Sequence, residues 1–179
     1  VFKNCTNLIS IVIPDNISEI NDSAFYGCEN LTSITYKDKT YSYENRQELY
    51  DAIYYPDVIK IEDGVLVDCA SSYKGELIIP DTVTSIGKEA FYDCDGLTSV
   101  IIPDSVTEIG DSAFKWCTNL TSIIIPQSVT YIGEYAFLDC HSLMSISIPE
   151  NITVINEGAF AYCSSLTSLS IPKNVYEIG

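Results

Sequence analysis

Residues 97–119 read LTSVIIPDSVTEIGDSAFKWCTN, and residues 120–142 read LTSIIIPQSVTYIGEYAFLDCHS. This is one 23-residue sentence written twice, with Leu, Ile-Pro, Val, Ile-Gly, Ala-Phe and Cys returning at the same places. A fixed period of this length marks a solenoid of stacked coils, because no single unit can bury its apolar face alone. With the leading Leu as position 1, the apolar residues at 1, 4, 6, 10 and 13 are predicted to point inward. Positions 3 to 6 alternate and are rich in β-branched residues, which predicts a strand stacked in parallel on its counterparts. Pro at position 7 lacks an N–H and ends that strand. Val-Thr-x-Ile predicts a second short extended segment. Gly at position 14 is read as a turn, and Asn21 and Asn156, which replace it, fit a left-handed backbone. Ala-Phe at 17 and 18 is read as a single helical turn, too short to be stable alone. Phe25, Phe91, Phe114, Phe137 and Phe160 are predicted to form an aromatic spine.

Working outward, residues 8–30 form a full unit and 31–36 begin another. Register resumes near Lys74 and continues through units starting at Leu97, Leu120, Leu143 and Leu166. The chain starts and stops inside a unit, so the expected organisation is two truncated arrays, 1–36 and 74–179, joined through 37–73 into one continuous solenoid. The joining segment is tyrosine-rich: Tyr36 to Tyr73 holds seven of the thirteen tyrosines. Ile34–Tyr36 and Thr40–Tyr43, flanking Lys37-Asp38-Lys39, predict a hairpin. Asn45 to Ile53 predicts a short helix, with Asn45 and Glu48 as a capping pair and Pro56 ending it. Val58–Ile61 and Val65–Val67, joined by Asp63-Gly64, predict a second hairpin.

Nine basic residues against 25 acidic ones give a net charge of −16. Such a chain lacks the basic footprint that nucleic acids and anionic membrane surfaces require, and it permits a basic partner. The acidic residues otherwise serve to solvate exposed turns. No apolar run is long enough for a membrane span, so no membrane insertion is expected.

Six of the seven cysteines fall at one repeat position: Cys5, Cys28, Cys94, Cys117, Cys140 and Cys163. The spacing predicts a ladder of buried thiols acting as small apolar fillers. One cysteine per coil places the sulfurs on a line rather than at tetrahedral corners, so no metal site is expected. Cys69 alone is out of register. The lone histidine, His141, follows Cys140, but a buried thiol beside a variable position does not make a nucleophile–base pair. Asp15, Asp81, Asp104 and Glu150 share one turn position, interrupted by Gln127, and read as solvated acids. No phosphate loop, catalytic residue or cofactor motif is found.

The string Leu-x-x-Ile-x-Ile-Pro-x-x-Val-x-x-Ile-Gly-x-x-Ala-Phe-x-x-Cys resembles the BspA-like (Treponema pallidum-type) leucine-rich repeats. The resemblance implies an α/β-type right-handed solenoid of leucine-rich repeats, mostly short parallel β-strands with single helical turns. It also implies an extracellular or cell-surface, non-catalytic protein that adheres to host or microbial proteins or glycans. No binding residue is shared across that family, so candidates come from this chain's own pattern.

Two surfaces are candidates. Position 5 should face outward, giving a ridge of Ile78, Ile101 and Ile124 edged by the position-3 hydroxyls Ser99 and Ser122. The second is the tyrosine-rich segment, through Tyr41, Tyr43, Tyr54 and Tyr55, whose rings would suit a protein or a glycan. Its alternative role is to pack a small core of its own and connect the arrays. Trp116, Tyr131 and Tyr135 read as isolated surface aromatics at variable positions. The expected function is a recognition module. The alternative is a structural spacer that displays a neighbouring domain.

Overall fold

A β-branched stretch that exposes one edge of hydrogen-bonding groups pairs with the same stretch one period away. In the computed structural model Ser99, Val100 and Ile101 lie opposite Ser122, Ile123 and Ile124 in a parallel ladder. The structure describes all residues except 1, 18–19, 22, 45–48, 50–52 and 54–57. The chain divides into two units, Val1–Pro56 and Asp57–Gly179, and the division falls within the tyrosine-rich segment.

In the first unit, β1 (Ser10–Val12) and β2 (Ser33–Tyr36) are parallel, in 23-residue register. β3 (Lys39–Tyr41) returns antiparallel beside β2. The expected hairpin is present, but its loop is two residues, with Lys37 (φ 47°) and Asp38 (φ 62°) both left-handed. A loop of that conformation matches the twist of the flanking strands. Phe25, Cys28, Leu31, Ile34, Tyr36 and Tyr41 form the core, and Leu49 and Ile53 pack into it. The remaining residues of the helix expected over 45–53 lie outside the described residues.

The second unit holds two ladders. One joins β6 (Gly75–Ile78), β8 (Leu97–Ile101) and β10 (Ser122–Ile124), the leading strands of successive coils. The other stacks the second short strands: β7 (Ser85–Ile86), β9 (Glu108–Ile109) and β11 (Tyr131–Ile132). β4 (Ile59–Glu62) and β5 (Val65–Cys69) form the Asp-Gly hairpin, and β5 continues this second ladder, with Leu66 opposite Ile86. The hairpin thus supplies the rung below the first regular coil, with Leu66 fully buried where later coils place Ile. β12 (Val154–Ile155) and β13 (Glu177–Ile178) pair in the last two coils. The unit is a β-solenoid of stacked parallel strands with a 23-residue period. Phe91, Phe114, Phe137 and Phe160 stack down it with centroid separations of 4.7, 5.1 and 5.5 Å and nearly parallel rings.

The Ala-Phe segments are not helical turns. Their N–H groups point along the stacking axis: Phe91 donates to the Ala113 carbonyl, Phe114 to Ala136 and Phe137 to Ala159, at 2.7–2.8 Å. Two residues away, Asp93, Trp116 and Asp139 do the same to Lys115, Leu138 and Ala161. The alternate N–H groups close i→i−3 turns, as from Cys117 to Phe114. Aiming every second N–H at the next coil requires left-handed backbone at positions 16 and 20, seen at Glu89, Asp93, Ser112, Trp116, Tyr135 and Asp139. Each such residue costs about 1–2 kcal/mol. An unmade buried backbone hydrogen bond costs about 1–3 kcal/mol, so the strained, stacked arrangement holds its own against an isolated turn.

Position 14 also differs from expectation. Gly87, Gly110 and Gly133 have no positive φ, and neither do Asn21 and Asn156. The glycines are there because coils touch: a Cβ on Gly110 would lie 2.7 Å from the Lys88 nitrogen, and one on Gly133 would lie 2.5 Å from the Asp111 nitrogen. Asn156 instead donates its Nδ2 to the Ile132 carbonyl one coil below, at 2.6 Å.

A Gly133→Ala substitution separates the two explanations. Close approach predicts a loss of about 1–3 kcal/mol in urea unfolding, the usual cost of overpacking. Were the glycine only a flexible turn residue at negative φ, alanine would stabilise by about 0.4–1 kcal/mol.

Candidate functional site

Strand alternation and the coil register build the sheet face. Ile78, Ile101 and Ile124 are mutual partners on β6, β8 and β10. Their inward neighbours Leu77, Val100 and Ile123 are buried, whereas the three isoleucines are 52, 41 and 71% exposed. Adjacent rungs stand about 4.8 Å apart, so the three side chains make one apolar ridge. Ser99 beside it donates its hydroxyl to a Glu76 carboxylate oxygen at 2.9 Å. Ser122 is exposed and bridges to Ser145 through the backbone. The next coil carries Ser147 at the ridge position, so the apolar line stops at Ile124.

The tyrosine candidates are placed differently. Tyr41 is 3% exposed and belongs to the core of the first unit, so it is not a contact residue. The cause is register. Ile34 points inward at position 4, and Tyr41 is its cross-strand partner, so the two share a face. Tyr36 lies two residues along the same strand and is buried for the same reason. Tyr43 is half-buried against that core, and Tyr54 and Tyr55 lie outside the described residues. In its described part, the first half of the segment therefore packs inward.

The thiol ladder is present and donates to the backbone. Cys117, Cys140 and Cys163 each donate to the phenylalanine carbonyl of the coil below (Phe91, Phe114 and Phe137), at 3.0–3.2 Å. Cys5, expected in the buried ladder, is instead exposed; the other six thiols are buried, and all seven are free. Burial, with a lesser contribution from neighbouring thiols, pushes Cys117 and Cys140 well above the ordinary thiol range. Burial pushes Cys163 up to about 11. Cys69 is raised by its hydrogen bond with Cys94 and by burial. Cys140 and His141 do not meet: the thiol faces the core, while His141 Nε2 lies 3.2 Å from the Asp139 carboxylate on the surface. Among the described residues no group of three His, Cys, Asp or Glu side chains gathers as a metal site. No described helix is long and apolar enough to cross a membrane.

Sequence reasoning passed over one cluster. Trp116 is not isolated. Its ring lies 5.0 Å from that of Tyr92 at a 51° tilt, and its Nε1 donates to Asp139 Oδ2 at 3.0 Å. Lys115 Nζ sits 5.0 Å from the Trp116 centroid and 5.8 Å from that of Tyr92. The period could have revealed this, since Tyr92 and Lys115, and Trp116 and Asp139, are pairs 23 residues apart and therefore stack. Tyr131 and Tyr135 also have partners, with hydroxyls that meet Asp111 and Glu157.

The thiols predict how stability follows pH. Burial holds the folded pKa values of Cys117, Cys140 and Cys163 above the unfolded value of about 8.5, so for these three the unfolded state releases protons first as pH rises. Their contribution should be complete below that value and decline as pH climbs toward 11, the value for Cys163. A thiol reagent should find one fast site, Cys5, in native protein and seven after denaturation. A midpoint that rises between about pH 8.5 and 11, or fewer than seven equivalents without reductant, would contradict the buried thiol ladder.

The BspA type leucine rich repeat region matches this chain in six copies, over residues 1–75 and 59–179. No curated protein matches it significantly. Its structure is similar to that of the T. pallidum leucine-rich repeat protein, with 25% identity and a TM-score of 0.54 over 99% of this chain and 63% of that one. It is also similar to a leucine-rich cell surface protein from Faecalibacterium prausnitzii, at 28% identity and a TM-score of 0.49, covering 91% of this chain and 48% of that one. A leucine-rich repeat protein from Bacteroides ovatus gives 26% and 0.49, covering 96% and 42%. The chain thus spans less than two thirds of the length of each of these proteins. With the 23-residue coil and its inward Leu, Ile, Phe and Cys ladders in place, and the repeat matched along the chain, this protein belongs to the BspA-type leucine-rich repeat family.

Proposed function

We propose that the chain is a non-catalytic recognition module of a surface or secreted protein, adhering to a protein or glycan on a host or microbial partner. The observation that carries the reading is the ridge of Ile78, Ile101 and Ile124, three large apolar side chains in register and open to solvent on a flat sheet face. Apolar surface concentrated in a line, edged by hydroxyls, suits a contact that excludes water at its centre and hydrogen-bonds at its rim. Family membership supports the surface setting.

A second reading, a spacer that holds a neighbouring domain away from the cell, is favoured by the unbroken axial ladder from Phe91 to Ala161. Such a rod would be stiff whether or not it binds anything.

Solid-phase binding to matrix glycoproteins and polysaccharides separates the readings, with wild type run beside an Ile101→Lys/Ile124→Lys double variant. Both positions are solvent-exposed, so thermal unfolding should change little. A recognition ridge predicts saturable binding that the variant weakens by at least about tenfold. Undiminished binding by the variant would remove the sheet face. No binding to any ligand by wild type would favour the spacer. Tyr54→Ala/Tyr55→Ala, run in parallel, tests the remaining tyrosine candidates.

A further inference from the structure

Position 20 of the coil is held left-handed wherever it is described: Asn4, Gly27, Asp93, Trp116, Asp139 and Tyr162 have φ between 57° and 73°. Glycine, asparagine and aspartate enter that region at least cost, and four of these six coils use them. Trp116 and Tyr162 do not. An aromatic residue placed where the backbone disfavours it, with its ring outside the core, is a local choice that contradicts the fold's own preference. Such contradictions concentrate at functional sites. Trp116 is 39% exposed, so its ring is not there to fill the core.

The surroundings of Trp116 define a chemistry. The Asp139 carboxylate fixes the indole by accepting from Nε1 at 3.0 Å, and His141 Nε2 lies 3.2 Å from the other carboxylate oxygen. The Tyr92 ring closes the second wall of a wedge, at 5.0 Å and 51°. The group that lies over both rings is an ammonium, that of Lys115. A cation over two aromatic faces is the arrangement that recognises ammonium and guanidinium groups, and the Asp139 carboxylate stands at the indole edge, where it accepts from Nε1. Lys115 is only partly buried and hangs on a flexible stem, whereas the indole and the carboxylate are joined by a hydrogen bond. The first unit supplies a comparison. Lys3 lies 5.3 Å over Tyr26 at the same repeat position, but Asn4 stands where Trp116 follows Lys115, so that residue supplies no second ring.

We propose that the Tyr92–Trp116 wedge with Asp139 is a cation-recognition site for an arginine or lysine side chain on a basic segment of a partner protein, its place held by Lys115 in the free protein. Arginine suits it better than lysine, because a planar guanidinium stacks on an aromatic face and pairs with a carboxylate at once. The chain's net charge of −16 draws such a segment in from a distance. A neutral sugar fits less well, since it would displace the Lys115 ammonium from the ring faces without replacing its charge. The site lies on the turn corner of the coil, not on the sheet ridge. It rests on the recognition reading only in needing a partner protein.

Trp116 is the only tryptophan, so its emission reports on the wedge directly. The experiment titrates the protein with a synthetic Gly-Arg-Gly-Arg-Gly peptide at physiological salt and follows that emission. The expected result is a saturable change. Lys115→Ala should tighten binding by about two- to fivefold because the resident cation is gone. Tyr92→Leu, which leaves the charge and the probe intact, should weaken it by a similar factor. Asp139→Asn should weaken binding while Asp81→Asn, an equal change of charge outside the wedge, should not. Equal effects of Asp139→Asn and Asp81→Asn, or no effect from both Lys115→Ala and Tyr92→Leu, would overturn the proposal in favour of diffuse charge attraction. An emission change with an uncharged cello-oligosaccharide and none with the peptide would overturn it in favour of a glycan surface. Failure of the ridge is read from the Ile101→Lys/Ile124→Lys variant instead, so the two readings fail separately.

Discussion

The hydrogen bond from one coil to the next is the interaction on which everything else in this protein depends. A 23-residue coil is too short to satisfy its own backbone. Its strands lend their edges to the neighbouring strands, and its turns lend alternate N–H groups to the neighbouring turns. Once that register is set, every residue lies beside the one a period away. Phenylalanine stacks on phenylalanine, thiols line up beneath carbonyls, and glycine occurs where two backbones meet. Thr107, Ser105 and Asn119 also spend their side chains on carbonyls of the coil below. A repeat built this way consumes its regular polar groups in structure, so any contact with a partner would fall to the variable positions.

Much of this was legible in the residues. The inward positions, the phenylalanine spine, the thiol ladder and both hairpins follow from spacing and from turn chemistry. What spacing could not show is why a residue recurs along the array. Glycine at position 14 looks the same whether it frees a dihedral or admits a neighbour, and only the 2.5–2.7 Å approach at Gly110 and Gly133 decides. The Ala-Phe pair looks helical because short apolar pairs suit one turn of helix. The competing option, bonding to the next coil through left-handed residues, has no local signature when Glu, Ser, Trp and Tyr accept that backbone as well as Asp.

The candidate sites divide along the same line. The isoleucine ridge was readable because strand alternation alone decides which side chains face out. The tyrosine site was misjudged at Tyr41, where a hairpin two residues long turned the ring onto the buried face opposite Ile34. The Trp116 cluster went unseen because its members are distant in sequence, although the period places them side by side. In a solenoid the informative comparison is between equal positions of successive coils, and variable positions that match across one period deserve the reading usually kept for neighbours.

The central claim, that backbone bonds between turns replace helix, is tested most directly by amide hydrogen exchange on native protein. The N–H groups of Phe114, Trp116, Phe137 and Asp139 should exchange as slowly as that of Thr121, which bonds to Thr98 at the strand edge, because all of them are locked to a neighbouring coil. Exchange of these turn amides as fast as that of exposed loop residues, with slow exchange confined to the strands, would contradict the account.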